Sequence, residues 1–288
     1  MFFGLSLAWP WNPGVIIFLL LLVVLYLLGL QRARKGSAQD ESINWIHVTA
    51  FFLSMSLIAL ALLTPFDTIA RTQLFSAHVA QLVLLTTLCA PLLLFSCPAL
   101  MLRPLLAKPV TRTLIRLFTR PLVASVLFNL IFLLWHVPSL LHLAQENNAV
   151  YHVQVLSIFV ASLLNWWPLL GPKRELHPMS YPAQMFYAFF DGQPVDILAF
   201  VLVFTEVSIY PFYAIPPQLV QLGLTPFADQ AVGGALLLIP GMVDLVVMTP
   251  LFFRWLGQIE NQTKKADADR ESEYEDEEGE YEEDEVEA

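Results

Sequence analysis

Seven apolar stretches, roughly residues 13 to 31, 45 to 63, 76 to 98, 121 to 142, 150 to 170, 183 to 207 and 231 to 256, take up most of this chain. Each reaches the roughly 20 residues that a helix needs to cross the hydrocarbon core of a bilayer. No water completes backbone hydrogen bonds there, so each stretch must satisfy its own polar groups as a helix. The expected fold class is all-α, a polytopic membrane protein of seven transmembrane helices. A hydrophobic fraction of 57 % against 14 % charged residues excludes an ordinary soluble domain, and membrane lipid rather than nucleic acid is the expected surrounding partner.

The basic residues alternate by loop. Arg32, Arg34 and Lys35 are followed by Arg71 alone. Arg103, Lys108, Arg112, Arg116 and Arg120 come next, then an empty loop, then Lys173 and Arg174, another empty loop, and Arg254, Lys264, Lys265 and Arg270. Fourteen of the fifteen thus fall on one side, which by the positive-inside rule places the N-terminus outside and the C-terminus in the cytoplasm. An odd number of spans requires the same result. The first span lacks a basic n-region and is too long for an h-region, so it is not read as a cleavable signal peptide; Trp9 and Trp11 before it suit an interfacial anchor.

The net charge of −10 belongs to one segment. From Gly257 to Ala288 there are fifteen acidic and three basic residues, net −12, which leaves ten acidic and twelve basic, net +2, for the rest. The expected division is a membrane domain over 1–256 and an acidic, irregular cytoplasmic tail over 257–288, too polar to offset its ordering entropy. Cys89 and Cys97 are eight residues apart on one span, a spacing that allows neither a disulfide nor a C-x-x-C site, and read as small apolar filler. A basic inner segment, about Leu100 to Arg120, has the apolar interleaving of an interfacial helix. An outer segment, about Tyr210 to Gln230, is rich in Pro and aromatics and suits a fixed surface loop.

Orientation gathers the histidines. His78, His136, His142 and His152 all fall at the outer ends of spans three, four and five, whereas His47 and His177 fall at the inner face. Imidazole suits copper and zinc, and sites in helical bundles are assembled from side chains on facing helices. His78 shares a helical face with Gln81, while His136 and His142 share one only if Pro138 bends the helix. Two carboxylates, Asp191 and Asp196, flank a Gly-Gln-Pro break near the middle of span six, and Asp244 lies in span seven. An intramembrane Asp faces the bundle interior and is a candidate for a polar path for a cation or proton. Asp229 and Gln230 precede span seven, where an Asp is expected to cap its own helix; Gly233 and Gly234 beyond them suit close helix packing.

Six patches in order resemble the CtaG family of assembly factors for caa3-type cytochrome c oxidase. They are Phe75-Ser76-Ala77-His78 with Gln81, then Ala90-Pro91-Leu92-Leu93-Leu94 and Pro98; Phe128-Asn129 with Leu134-Trp135-His136-Val137-Pro138; Trp166-Trp167-Pro168-Leu169-Leu170-Gly171-Pro172; Ser180-Tyr181-Pro182; Ala228-Asp229-Gln230-Ala231-Val232-Gly233-Gly234; and Phe252-Phe253-Arg254-Trp255. The resemblance implies a seven-span protein of the bacterial inner membrane that serves maturation of a haem-copper oxidase and handles copper on the outer side. Against the family's His-x-x-Gln-His, this chain has Leu82 in the last place. Near His152, Val155 stands close to where a paired histidine is expected. It is identified as a divergent member.

The expectation is a non-catalytic assembly factor whose partners are cytochrome c oxidase subunits or other copper chaperones. Transient copper is expected on His78 and His136, with His152 and His142 as further ligands and Asp229 or Gln230 in support. Two other readings stay open: a proton-coupled transporter using Asp191 and Asp196, and a membrane haem protein with His78 and His136 as axial ligands.

Overall fold

In a computed structural model, residues 4, 5, 7–35, 44–97, 107–171 and 179–287 are described. Pro98, Arg103, Pro172, Lys173, Arg174 and His177 lie outside the described residues. All described regular elements are helices: α1 Pro13–Lys35, α2 Trp45–Leu63, α3 Pro65–Thr72, α4 Phe75–Val83, a π-helical turn Leu84–Cys89, α5 Ala90–Ser96, α6 Pro109–Phe118 and α7 Pro121–Trp135. They continue as α8 Pro138–Glu146, α9 Asn148–Leu170, α10 Tyr181–Asp191, α11 Gln193–Phe204, α12 Pro217–Gln221, α13 Pro226–Leu237 and α14 Ile239–Glu287. Among the described residues, six helical runs are long and apolar enough to cross a membrane, and a seventh is reached if α6 and α7, bent by 70°, count as one span. The chain is therefore an all-α multi-pass membrane protein.

Four spans differ from uninterrupted rods; the seventh breaks only at Leu238, between α13 and α14, and the other three each show a local reason. The fourth was expected to run from 121 to 142; α7 stops at Trp135 instead, and α8 starts afresh at Pro138. Pro138 disfavours helical geometry in Val137, which is extended at φ −63°, ψ 126°. Span six breaks at Gly192, between α10 and α11. Span three carries the π-turn. Pro91 has no N–H for the Thr87 carbonyl, and the turn ahead of it widens, Ala90 N–H reaching back to Leu85 O. Neighbouring α9 completes the loosened carbonyls: Ser162 Oγ and Trp166 Nε1 both donate to Thr86 O, at 2.9 and 2.8 Å.

Burial divides the bundle into two cores. One gathers Phe51, Met55, Ile58, Leu85, Tyr151 and Phe159 from α2, the π-turn and α9. The other gathers Phe75, Leu82, Phe132, Ile158, Leu202 and Leu237 from α4, α7, α9, α11 and α13. The large apolar residues left exposed, such as Ile17, Leu20, Leu21 and Val24 along α1, form a lipid-facing surface. Trp9 and Trp11 are exposed just ahead of it.

Glycine sets the closest approach. A Cβ on Gly234 would stand 2.8 Å from the Ala199 carbonyl oxygen, and one on Gly233 would stand 2.6 Å from the Phe75 ring, so α13 lies against both α11 and α4 only because these positions are bare. Beyond Gly257 the acidic segment is placed as a continuation of α14, exposed from Gln258 to Glu271. Its Glu, Lys and Ala residues are good helix formers, and Lys264 pairs with Glu260, and Arg270 with Asp267, each at 2.7 Å.

Candidate functional site

At the end of the bundle where α4 begins and α7 ends, two imidazoles meet in the interior. His78 and His136 are 1 % and 4 % exposed, and their ring centres lie 6.2 Å apart. Phe132 stacks on His136 at 4.3 Å and Phe75 lies beside His78. Tyr210 closes the top, stacked on Phe75 at 4.4 Å and donating its hydroxyl to the His136 carbonyl at 2.8 Å. The Pro-rich loop between α11 and α12 thus covers the pair.

The tautomer of His136 follows from its partner. Nδ1 lies 2.7 Å from the Phe132 carbonyl oxygen, which can only accept. Nδ1 therefore carries the proton and Nε2 keeps a lone pair, and that Nε2 is buried without a partner. On the facing helix, the Gln154 amide nitrogen lies 3.4 Å from His78 Nε2, while His78 Nδ1 and Gln154 Oε1 are also buried and unpartnered. An amide can turn end for end. With its oxygen towards His78 it accepts from Nε2–H, and Nδ1 becomes the bare nitrogen. Three open polar atoms on His78, His136 and Gln154 are unusual in a protein interior, where such groups are nearly always paired.

The other expected ligands lie elsewhere. His142 is near the surface, its side chain 47 % exposed, 3.7 Å from Glu146 and beside the Phe212 ring. His152 turns to its own helix, Nδ1 lying 2.6 Å from the Asn148 carbonyl, and lines a groove of about 520 Å³ between α1 and α9. Among the described residues, no three His, Cys, Asp or Glu side chains converge as a metal-holding group. Leu82 and Val155, at the two places where the resembled pattern has histidine, are both buried in the apolar cores.

Gln81 belongs to a neighbouring layer, one helical turn from His78. Its amide nitrogen donates to Ala61 O at 2.8 Å and to Asp67 Oδ1 at 3.0 Å. Tyr151 Oη lies 2.6 Å from Asp67 Oδ1 and 2.9 Å from Gln81 Oε1. With one hydroxyl proton between two acceptors, the ring closes when Asp67 is itself protonated, donating to Tyr151, which donates to Gln81. Burial holds the Asp67 carboxyl above its ordinary value, against the opposing pull of its hydrogen bonds with Tyr151 and Gln81.

Asp229 and Gln230 serve the ends of other elements. Thr225, and not Asp229, caps α13, accepting from Ala228 N at 3.1 Å. The Asp229 carboxylate instead accepts from Phe75 N at 2.7 Å, from Ser76 N at 3.3 Å and from the Ser76 hydroxyl, capping α4, whose own N-cap residue, Leu74, has no side-chain acceptor. Gln230 Oε1 accepts from Ile209 N at 2.6 Å and its amide donates to Leu202 O and Val207 O, fixing the loop that covers the histidines.

Further along the bundle, Asp191, Asp196 and Asp244 line a cavity of about 50 Å³ with Thr86, Ser162 and Tyr187. Asp191 is held by the side-chain amide of Asn165 and by Asn129, which donates to its carbonyl at 3.0 Å. Asp196 and Asp244 rest against Gly192 and Gly241. This place is separate from the histidines, with Phe132 between, stacked on His136 and lining the cavity.

Fold and site together define a multi-pass membrane protein with a buried pair of imidazoles at one end. The chain belongs to the family of cytochrome c oxidase caa3 assembly factors: the family model, Caa3_CtaG, matches residues 24–258. No match is found among curated proteins or among solved structures. The family carries the assembly reading, and nothing in the comparisons points to transport or haem binding.

Proposed function

We propose that this assembly factor handles copper for cytochrome c oxidase at the outer face of a bacterial inner membrane, holding it transiently on His78 and His136 and catalysing no reaction of its own. The observation that carries the proposal is that His78 Nδ1 and His136 Nε2 are buried without partners on imidazoles whose centres lie 6.2 Å apart. Neutral imidazole nitrogens are good copper ligands, and a buried ring whose second nitrogen is fixed by a carbonyl is already oriented for ligation. The outer placement is supported by the basic residues, since Arg71 alone marks the loop ahead of α4 while Lys108, Arg112, Arg116 and Arg120 precede α7 at the opposite end. The partner is an oxidase subunit or a second copper carrier, and the aromatic cover formed by Phe75, Tyr210 and Tyr213 is the surface that partner must open.

The test pairs metal content with assembly. Detergent-purified protein is expected to retain copper, and the His78→Ala, His136→Ala double variant to lose it. The same double variant, inserted normally in cells lacking the native copy, is expected to lower copper-dependent oxidase activity. Full activity with the double variant would sink the proposal.

A further inference from the structure

The pocket's geometry narrows its cargo, given the copper reading above. A metal held by an imidazole lies about 2 Å from the ligating nitrogen. Adding a little over about 1 Å from nitrogen to ring centre, two imidazoles on opposite sides of one ion have centres about 6 Å apart, and two on a tetrahedral angle about 5 Å apart. The observed 6.2 Å, with ring planes inclined at 50°, fits the first arrangement. Ring planes need not coincide across a linear bridge, so the inclination carries no penalty.

Charge and donor number agree. His78 and His136 are neutral in the tautomers derived above, Gln154 is neutral, and the walls are Phe75, Phe132 and Tyr210. Asp229 spends its oxygens on the start of α4, and Asp67 spends its own on Gln81 and Tyr151. Divalent zinc and copper take three or four protein donors and gain from an anionic one. Bringing a double charge into so dry a pocket costs far more than bringing a single one, because the desolvation penalty rises with the square of the charge. With its oxygen turned to accept from His78 Nε2–H, Gln154 holds the ring with Nδ1 bare and adds no donor of its own.

We infer that the His78–His136 pocket is a two-coordinate site selective for a monovalent d10 cation, copper(I), over zinc(II) and copper(II), with Gln154 as the positioning residue. Leu82 preserves that selectivity. It stands one turn along α4 from His78, where an imidazole would add a third donor.

The experiment uses full-length protein in detergent under anaerobic, reducing conditions. Silver(I) and copper(I) are titrated against a chromophoric chelator, zinc(II) directly, and copper(II) in a separate reductant-free series. One monovalent ion per chain is expected, with zinc(II) and copper(II) at least about 100-fold weaker, about 2.7 kcal/mol. X-ray absorption of the copper(I) form is expected to show two nitrogen neighbours. His136→Asn, a polar replacement that keeps the volume filled, is expected to abolish binding. Gln154→Leu is expected to weaken it about 10-fold while leaving two nitrogen neighbours. Leu82→His is expected to raise zinc(II) affinity. Equal affinity for zinc(II), or three or four neighbours at copper(I), would overturn the inference and leave copper handling standing. Wild type that binds none of these ions would overturn both.

Discussion

Two layers of polar side chains hang from the same pair of helices, one turn apart, and only one of them is closed. In one layer, Gln81 of α4 and Tyr151 of α9 join Asp67 in a ring whose members all find partners. In the other, His78 of α4 and Gln154 of α9 face His136 and leave three atoms open. Helix identity, burial and depth hardly differ. What differs is hydrogen-bond completion, and that separates a group retained for the fold from one retained for a ligand. A closed polar ring inside a membrane bundle fixes helix register. An open one stores a desolvation cost that a ligand can relieve.

Substitution by leucine should separate the layers most sharply. Asp67→Leu strands the Tyr151 hydroxyl and the Gln81 amide and is expected to cost about 3 kcal/mol, read from thermal unfolding in detergent. Leucine at Gln154 removes a group that lacks a partner for its oxygen, and is expected to change stability by no more than about 1 kcal/mol in either direction. Equal losses at both positions would break the distinction. Asp229→Ala strips the cap from the end of α4 that presents His78, with an expected cost of about 1–2 kcal/mol. Copper affinity should fall with it, because the histidine's helix frays. Tyr151→Phe removes the hydroxyl's bonds with Asp67 and Gln81 but leaves those two joined to each other, and is expected to cost about 1–2 kcal/mol.

The smallest effect is a pH dependence. Because burial raises the Asp67 carboxyl in the folded protein, the folded state holds its proton at pH values where the unfolded chain has released it. Its contribution to stability is complete below the ordinary carboxylate range near pH 4 and is lost as pH rises through the folded value. Asp67→Asn removes the titrating proton and keeps an acceptor for the Gln81 amide, so it should flatten the profile. A wild-type melting temperature that rises across that window, or an Asn variant with the same slope as wild type, would rule out a protonated ring.

Much of this was legible in the chain. The apolar runs set the spans, and the alternation of Lys and Arg brought His78 and His136 to one end before any contact was known. His78 and Gln81 at i, i+3 already marked an inward face. His152, turned to its own helix, does not mark the matching face of α9. Tyr151 and Gln154, also three apart, are the inward pair, and a two-residue polar spacing inside an apolar span was the available signal. Asp229 was read as the cap of its own helix because sequence patterns see only neighbours in the chain; its true partner, the start of α4, is more than 150 residues away. The stop at Trp135 was foreshadowed by Pro138, although a bend and a break look alike in sequence.

The π-turn of span three bears on how this protein tolerates changes in length. An ordinary helix advances about 100° per residue, and the wide turn, closed by Ala90 N–H on Leu85 O, takes in one more residue than an ordinary turn while absorbing about that much rotation. Removing one residue from Leu84–Cys89 would therefore let the turn close to ordinary pitch with the half carrying His78 and Gln81 still facing α9. Both polar layers would keep their partners, although the span between its two ends had shortened.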